Sequence, residues 1–333
     1  MESFDATAMI IPTHWAESRH QEKIDGRQWT IRRFGWSEHS MEEAQAMADQ
    51  RVAEALKRVI AGETIQRREP KVPYNGADGM PIREEIVARD GDAIVTRNSY
   101  GALCLNTPDV LFADLDCPVG ISFRSGCLIF VFMLLAAAAY GRHAGSFGIA
   151  LGSMILSIFV ALLVYGVVDR SIRKNQAGMK RRLWRRIEGF ARRHPDWHLR
   201  AYETPAGYRL LAMHATFDPA GDEALRCFQE LVVDLVYARM CRNQRCFRAR
   251  VSPKPWRIGI SERLKPRTGV WPIDPEKLPL REAWVRDYEQ RSTGHAACRF
   301  VARFGSNRIH PAAEAVRRWH DELSRADTQL PLA

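Results

Sequence analysis

Hydrophobic positions fall into three regimes along the chain. From about residue 28 to residue 116 apolar side chains alternate or recur at helical spacing. From 121 to 168 they run nearly unbroken, and after 169 they become periodic again on a strongly basic background. "QWTIRRFGWS" alternates as a strand does. Ser40 with Glu43 then makes a capping box ahead of Met41, Ala44, Ala48, Val52, Ala55, Leu56 and Val59, a helical stripe closed by Gly62. "REPKVPYNGADGMP" reads as a loop. Short strands follow at Ile82 to Ala88, Ala93 to Arg97, Gly101 to Leu105 and Val110 to Asp116, separated by "RDGD", "NSYG" and "NTPD" turns. The expected N-terminal part is an antiparallel meander with one helix.

The middle of the chain has a different solvent. Ser125 to Gly141 and Ser146 to Val168 contain no charged residue. The second run exceeds the roughly 20 residues needed to cross about 30 Å of hydrocarbon. The first is lengthened by Ile121 to Phe123, with Arg124 snorkelling back to the headgroups. Core helices seldom stay apolar on every face for so long, so both segments are expected to span a membrane, 121–141 and 146–168. The turn at 142–145 lies between them. Ala144, Gly148 and Gly152 recur at every fourth residue and offer a small-residue stripe for close helix packing, although glycine is common in membrane helices anyway.

Beyond the second run, "DRSIRKNQAGMKRRLWRRIEGFARRH" holds about ten Lys or Arg against one Glu after Asp169. The positive-inside rule makes that side cytoplasmic, and two spans return the N-terminus to it. Early charges at Glu2, Asp5, Glu17 and Arg19 leave no signal-peptide pattern. The expected location is a bacterial inner membrane with both termini cytoplasmic. A helix is predicted from Lys174 to Arg193, with Met179, Leu183, Ile187 and Phe190 on one face and arginines on the others. Strands at Trp197 to Glu203 and Tyr208 to His214, a helix from Asp222 to Met240, and a final helix–strand–helix complete the pattern. Neither 1–120 nor 169–333 looks self-sufficient. The fold class expected is α+β: one cytoplasmic antiparallel sheet domain with packed helices, interrupted by a two-helix transmembrane hairpin.

Charge sharpens this picture. The 333 residues carry a formal charge of +10 and a pI near 9.5, with 46% hydrophobic residues and a mean hydropathy of -0.30. Such a balance asks for an anionic partner, either a lipid surface or a nucleic acid. Arg173, Lys174, Lys180, Arg181, Arg182, Arg185 and Arg186 follow the second span directly and are the candidate headgroup contacts. Seven irregularly spaced cysteines, with no CxxC or CxxH set beside Cys241 and Cys246, point to reduced thiols rather than disulfides or structural zinc.

The chemistry candidates begin with Asp114 and Asp116. Strand alternation puts them on one face, where they repel unless a cation, an Arg or a proton intervenes. Such pairs hold Mg²⁺ or Mn²⁺ for work on phosphates, and solvated acids facing arginines give the same pattern. Haloacid dehalogenase-like phosphatases would need Gly-Thr where Cys117-Pro118 stands, and metal-dependent glycosyltransferases a preceding βαβ run. "VLFADLDCP" followed by "TPAGYRLLAMH" resembles the palm domain of archaeo-eukaryotic primase-like polymerases. The resemblance covers two short segments. It implies a metal on Asp114 and Asp116 and a phosphate contact from His214, with Arg209 nearby. Leu210 or Leu211 stands where the family has its His, His214 is displaced by three or four residues, and the third acid is unassigned, with Asp234 available in a predicted helix. A relative that binds nucleotide without catalysis fits these departures.

"YARMCRNQRCFRARVSPKPWR" interleaves seven basic residues with Tyr237, Phe247 and Trp256. Arg248, Arg250, Lys254 and Arg257 are therefore candidate phosphate or nucleic-acid contacts. Phe247, Ala249 and Val251 alternating with Arg248 and Arg250 equally describe a half-buried strand. Three functional readings remain. The first is a membrane-pinned, non-enzymatic module binding an anionic partner: lipid headgroup, nucleotide or nucleic acid. The second is a metal-dependent nucleotide-processing enzyme of primase-like descent using Asp114 and Asp116. The third is a membrane-associated phosphate or sugar-phosphate transferase. The sequence names no particular protein partner.

Overall fold

The computed structural model describes residues 9, 11–24, 26–69, 80–117, 123–145, 147–267 and 271–333. Their elements in chain order are β1 (His14–Ile24), β2 (Arg27–Ser37), α1 (Met41–Ile60), β3 (Glu85–Asp90), β4 (Ala93–Arg97), β5 (Leu103–Thr107), β6 (Phe112–Asp116), α2 (Phe123–His143), α3 (Phe147–Lys174), α4 (Gln176–Arg193), β7 (His198–Glu203), β8 (Gly207–Ala212), α5 (Asp222–Leu231), α6 (Leu235–Gln244), β9 (Phe247–Arg250), α7 (Leu278–Ser292), β10 (Arg299–Gly305) and α8 (Pro311–Ser324). The class is α+β with antiparallel sheets. Two compact units divide the chain: residues 1–114, 190–205 and 209–333 form one, and 115–189 with 206–208 form the other.

In the first unit the expected strand at 28–37 has an unexpected partner, β1, which pairs with it antiparallel from His14↔Ser37 to Ile24↔Arg27. The charges within "HWAESRHQEKI" mask the alternation of β1. Its apolar Trp15 and Ala16 face cores, and its outer half is solvated. Helix α1 lies on this hairpin, with Ile31 against Val52, Ala55 and Val59, and Ala16 against Ala44 and Ala48. Gly35 permits that approach, because a Cβ there would overlap the backbone of Ala44 and Ala48. Half of the capping box forms. The Ser40 hydroxyl accepts from the Glu43 N–H at 3.1 Å, whereas the Glu43 carboxylate accepts from the Ser37 hydroxyl at 2.5 Å.

The meander expected from four strands divides after the third. β3, β4 and β5 pair in order, but the next neighbour of β5 is β9, in register from Cys104↔Arg250 to Thr107↔Phe247. The "NTPD" turn redirects the chain. Thr107 donates its hydroxyl to the Val110 carbonyl at 2.9 Å, and β6 joins a second sheet of order β10-β7-β8-β6. Both sheets thus combine strands from before and after the apolar hairpin. The helix expected from 222 to 240 is two helices. Val232 turns left-handed (φ 56°), and Asp234 caps α6 by accepting from the Val236 and Tyr237 N–H groups at 2.9 Å each. No Gly or Pro marks this break, which is why the pattern reads as continuous.

The second unit contains the hairpin α2–α3. The 21 residues of α2 and 28 of α3 correspond to about 31 and 42 Å. The windows Gly126–His143 and Leu151–Ser171 are apolar enough to cross a membrane, with mean hydropathies of 1.5 and 2.4. Only 12% and 11% of these windows is buried, unlike the core helix of a water-soluble fold. The stripe Ala144, Gly148, Gly152 does not make the contact between the helices. All three residues are exposed, and a Cβ on Gly152 would meet nothing. The buried small residues are Ala137 and Gly141 on α2 and Ser157 and Ala161 on α3, with Ser153 donating to the Ala137 carbonyl at 3.2 Å. The small-residue principle holds in a different register. Helix α4 begins after a single residue, Asn175. The side chains of Arg173 and Lys174 lie outside the described residues.

Candidate functional site

The acid pair sits at the end of β6. Strand β6 buries Phe112, Ala113 and Leu115 and leaves Asp114 half-buried and Asp116 exposed. Asp114 belongs to the first unit, Asp116 to the second. Asp114 accepts a two-pronged contact from Arg209 on β8, Nε to Oδ1 at 2.7 Å and Nη2 to Oδ2 at 2.9 Å. Arg209 is 2% exposed, Asp114 31%. The remaining guanidinium nitrogen, Nη1, donates to the Arg250 carbonyl at 2.8 Å, tying β8 to β9 of the other sheet. Burial acts against the charge on Arg209, but Asp114 more than offsets it and holds the pKa above the ordinary arginine value.

Behind Arg209 the polar chain continues. Nη1 also approaches His320 Nε2 at 3.3 Å. His320 Nδ1 meets Asp321 Oδ1 at 2.9 Å, and Cys298 Sγ lies 3.8 Å from Nε2. Asp321 Oδ2 accepts from Arg200 at 3.2 Å and from Arg317 at 3.0 Å. A cysteine, a histidine and an aspartate in this order have the connectivity of an activated nucleophile. All three are buried, however, so no substrate atom reaches the sulfur. Arg209 occupies the same imidazole nitrogen. The arrangement is a hydrogen-bonded core bolt between α8 and two sheets. The sequence carries its signal only as the adjacent pair His320-Asp321.

The other candidates are dispersed. His214 lies past the end of β8 between Trp197 and Phe217, ring centroids 4.7 and 5.5 Å away. Arg248 is buried and held by Glu84 at 2.7 and 2.9 Å and by Asn106 at 3.0 Å. Arg250 donates to the Ser252 carbonyl at 3.0 Å. Lys254 stands 5.3 Å from the ring of exposed Trp256, and Arg257 closes the same short turn through its N–H to the Lys254 carbonyl. Asp234 is a helix cap. Among the described residues no group of three or more His, Cys, Asp or Glu could hold a metal ion. All seven cysteines are free, and burial pushes the thiols of Cys241 and Cys246 up.

No family model, curated protein or solved structure matches the chain.

The basic cluster is the remaining candidate. On α4, Ile187 and Phe190 are buried and Arg181, Arg182, Arg185 and Arg186 exposed, with Lys180 between these extremes. Within the second unit Trp184 packs on Tyr208 at 5.1 Å, fixing which face of α4 turns away from the β7–β8 turn.

His214 sets an acid limit on stability. Burial, and then the nearby Arg308, lower its pKa to about 4, and burial also lowers that of His198. The unfolded chain therefore binds more protons between pH 6.5 and about 4, and stability falls as pH falls through that window. On the order of 2 kcal/mol is expected to be lost between pH 7 and pH 4 through His214. His214→Phe should flatten that part of a pH series of urea midpoints. An unchanged slope would assign the acid limb elsewhere.

Proposed function

We propose that this chain is an integral membrane protein whose α2–α3 hairpin crosses a bilayer and pins an α+β module to its cytoplasmic face, where the module binds an anionic partner without catalysis. The observation that carries the reading is the pairing of strands from both sides of the hairpin. β5 with β9, and β6 with β8, can form only if residues before 117 and after 175 share one side of the membrane, which requires an even number of spans. The uncovered apolar surface of the two helices supports insertion. The basic run after Val168 supports a cytoplasmic placement, with anionic lipid headgroups as the first partner. The pairing of Asp114 with Arg209 favours a binding module over a metal-dependent nucleotide or sugar-phosphate enzyme, because both carboxylate oxygens already accept from a guanidinium.

Cysteine accessibility mapping in sealed cells tests the topology. A cysteine in place of His143 should react with an impermeant reagent from outside, and cysteines after Arg170 only once the membrane is opened. An externally labelled position in the tail would sink the arrangement.

A further inference from the structure

The buried arginines of the first unit are matched to carboxylates. Arg97 pairs with Glu289 at 2.8 Å, Arg209 with Asp114 at 2.7 Å, and Arg248 and Arg281 with Glu84 and Glu85 at 2.7 Å each. An interior of low dielectric demands such matching. Arg83, partly buried, departs from it. Its guanidinium lies 4.9 Å from the ring of Trp15 and 4.8 Å from that of Phe34, and its Nε donates to the Trp271 carbonyl. Among the described residues no carboxylate forms an ion pair with it. Burial lowers its pKa to about 10, opposed only by the more distant charge of Glu17. The two rings stabilise the flat face of the guanidinium, while its Nη edge finds no acceptor among the described residues.

Two more guanidiniums share that side of the β1–β2 hairpin. Strand alternation puts Trp15, Glu17 and Arg19 of β1 and Arg32, Phe34 and Trp36 of β2 on the face opposite α1. Arg32 stands 5.5 Å from the same Phe34 ring, and its Nε is buried without a hydrogen-bond partner. Its direct cross-strand neighbour is Arg19, which is exposed. Like charges placed directly opposite each other destabilise a strand pair. The nearby acids do not relieve this. Glu17 is exposed and forms no ion pair among the described residues. Glu69, beside β2, already accepts from the Phe34 N–H at 2.9 Å and from Arg51 at 2.7 Å. Around Phe34, three guanidiniums therefore face one uncommitted carboxylate, an excess of two positive charges.

We infer that Arg83, Arg32 and Arg19 form a binding site for a phosphate monoester dianion on the face of the β1–β2 hairpin opposite α1. The charge of such an ester above about pH 7 equals the excess on this face. Its three terminal oxygens suit donors from several guanidiniums better than the two of a carboxylate do. The inference deepens the proposed reading of a module that binds an anionic partner, and it assigns the partner's phosphate to residues outside α4. Arg83 could instead serve only as a cationic lid on the core of Trp15, Phe34 and Met80. Removing it separates the two by sign. A lid stabilises the ligand-free fold, whereas an uncompensated charge held for a ligand destabilises it.

The test uses the full chain in neutral detergent micelles, above about pH 7 and at fixed ionic strength. Isothermal titration with glycerol 3-phosphate gives Kd, and urea midpoints are read without ligand. Arg83→Met is expected to weaken binding about a hundredfold and to raise the ligand-free midpoint. Arg19→Gln, at an exposed position, is expected to weaken binding about tenfold. Phosphatidate added to the micelles distinguishes the sources. Binding of glycerol 3-phosphate assigns the site to soluble esters, and binding of phosphatidate alone assigns it to a lipid headgroup. Binding of neither overturns the inference, as does an Arg83→Met variant that binds like the wild type. A lower ligand-free midpoint for Arg83→Met makes the residue a lid and also overturns it. Should Arg83→Met fail to fold, Arg19→Gln decides, and an unchanged Kd overturns the inference. Binding that survives Arg83→Met but is lost when Lys180, Arg181, Arg182, Arg185 and Arg186 become glutamine places the anion on α4. That result overturns the inference and leaves the anion-binding module standing. A wild-type protein that binds neither phosphate compound, nor anionic vesicles better than neutral ones, removes both.

Discussion

Asp114→Asn is expected to destabilise the folded module by about 3–4 kcal/mol, because it leaves the guanidinium of Arg209 charged and buried. Asparagine offers one neutral acceptor in place of two charged oxygens, and the Arg250 carbonyl cannot replace them. The converse change, Arg209→Met, should cost less on the acid's side, since Asp114 is 31% exposed and water can reach it. It also removes the link from β8 to β9. The double variant Asp114→Leu with Arg209→Met should recover much of the loss, since well-packed apolar residues often replace a buried pair at little cost. With the single variant Asp114→Leu added, urea unfolding in detergent micelles, followed by tryptophan fluorescence, reads all four corners of this cycle. The same series addresses metal. Were Asp114 and Asp116 a divalent-cation site, Mn²⁺ would raise stability by about 2.7 kcal/mol at a hundredfold excess over Kd. Neutralising the acids would then remove that increment while slightly stabilising the metal-free protein. The ion pair predicts the opposite sign for Asp114→Asn and no response to Mn²⁺ or Mg²⁺.

The elements legible in the sequence were those with one periodicity and one solvent. Helix α1, the strands around 93–97 and 198–203, and the two apolar helices follow directly from spacing and composition. The break at Val232 was hidden because the chain turns there with a residue that ordinarily avoids the left-handed region, and local propensity carried no warning. The departure of β6 from the meander was hidden for a different reason. Its place beside β8 depends on a strand almost a hundred residues later, on the other side of the hairpin. At the candidate site the pattern identified Asp114 and Arg209 separately, but alternation within one strand cannot reveal that each is the other's counter-charge. Arg248 illustrates the same limit. Its alternation with Phe247 and Ala249 suggested a solvated face, whereas Glu84 draws the guanidinium inside. Arginines read as an anionic-ligand surface were thus partly internal wiring, and the sequence property that survives as a surface property is the run on α4.

Replacing Lys180, Arg181, Arg182, Arg185 and Arg186 by glutamine is expected to weaken the attraction of α4 for an anionic leaflet by about 3–5 kcal/mol. Each cation within reach of such a surface contributes about 1 kcal/mol, and the contribution decays over a Debye length of about 8 Å at physiological salt. The lower figure counts only Arg181, Arg182 and Arg185, because Lys180 and Arg186 already take part in interactions of the fold. A synthetic peptide covering 174–195 isolates this term from the hairpin, which would otherwise hold the protein to the vesicle regardless of charge. The wild-type peptide should partition into vesicles with one-third anionic lipid and gain helicity there, as its Leu183, Ile187 and Phe190 find an apolar boundary. The glutamine peptide should bind on the order of a hundredfold to a thousandfold more weakly. Raising salt from 25 to about 500 mM, where the Debye length shortens to a few ångströms, should bring the two together. Equal partition of the wild-type peptide into zwitterionic vesicles would instead place the affinity in the apolar face. The positive charge after Val168 would then fix orientation during insertion without binding lipid afterwards.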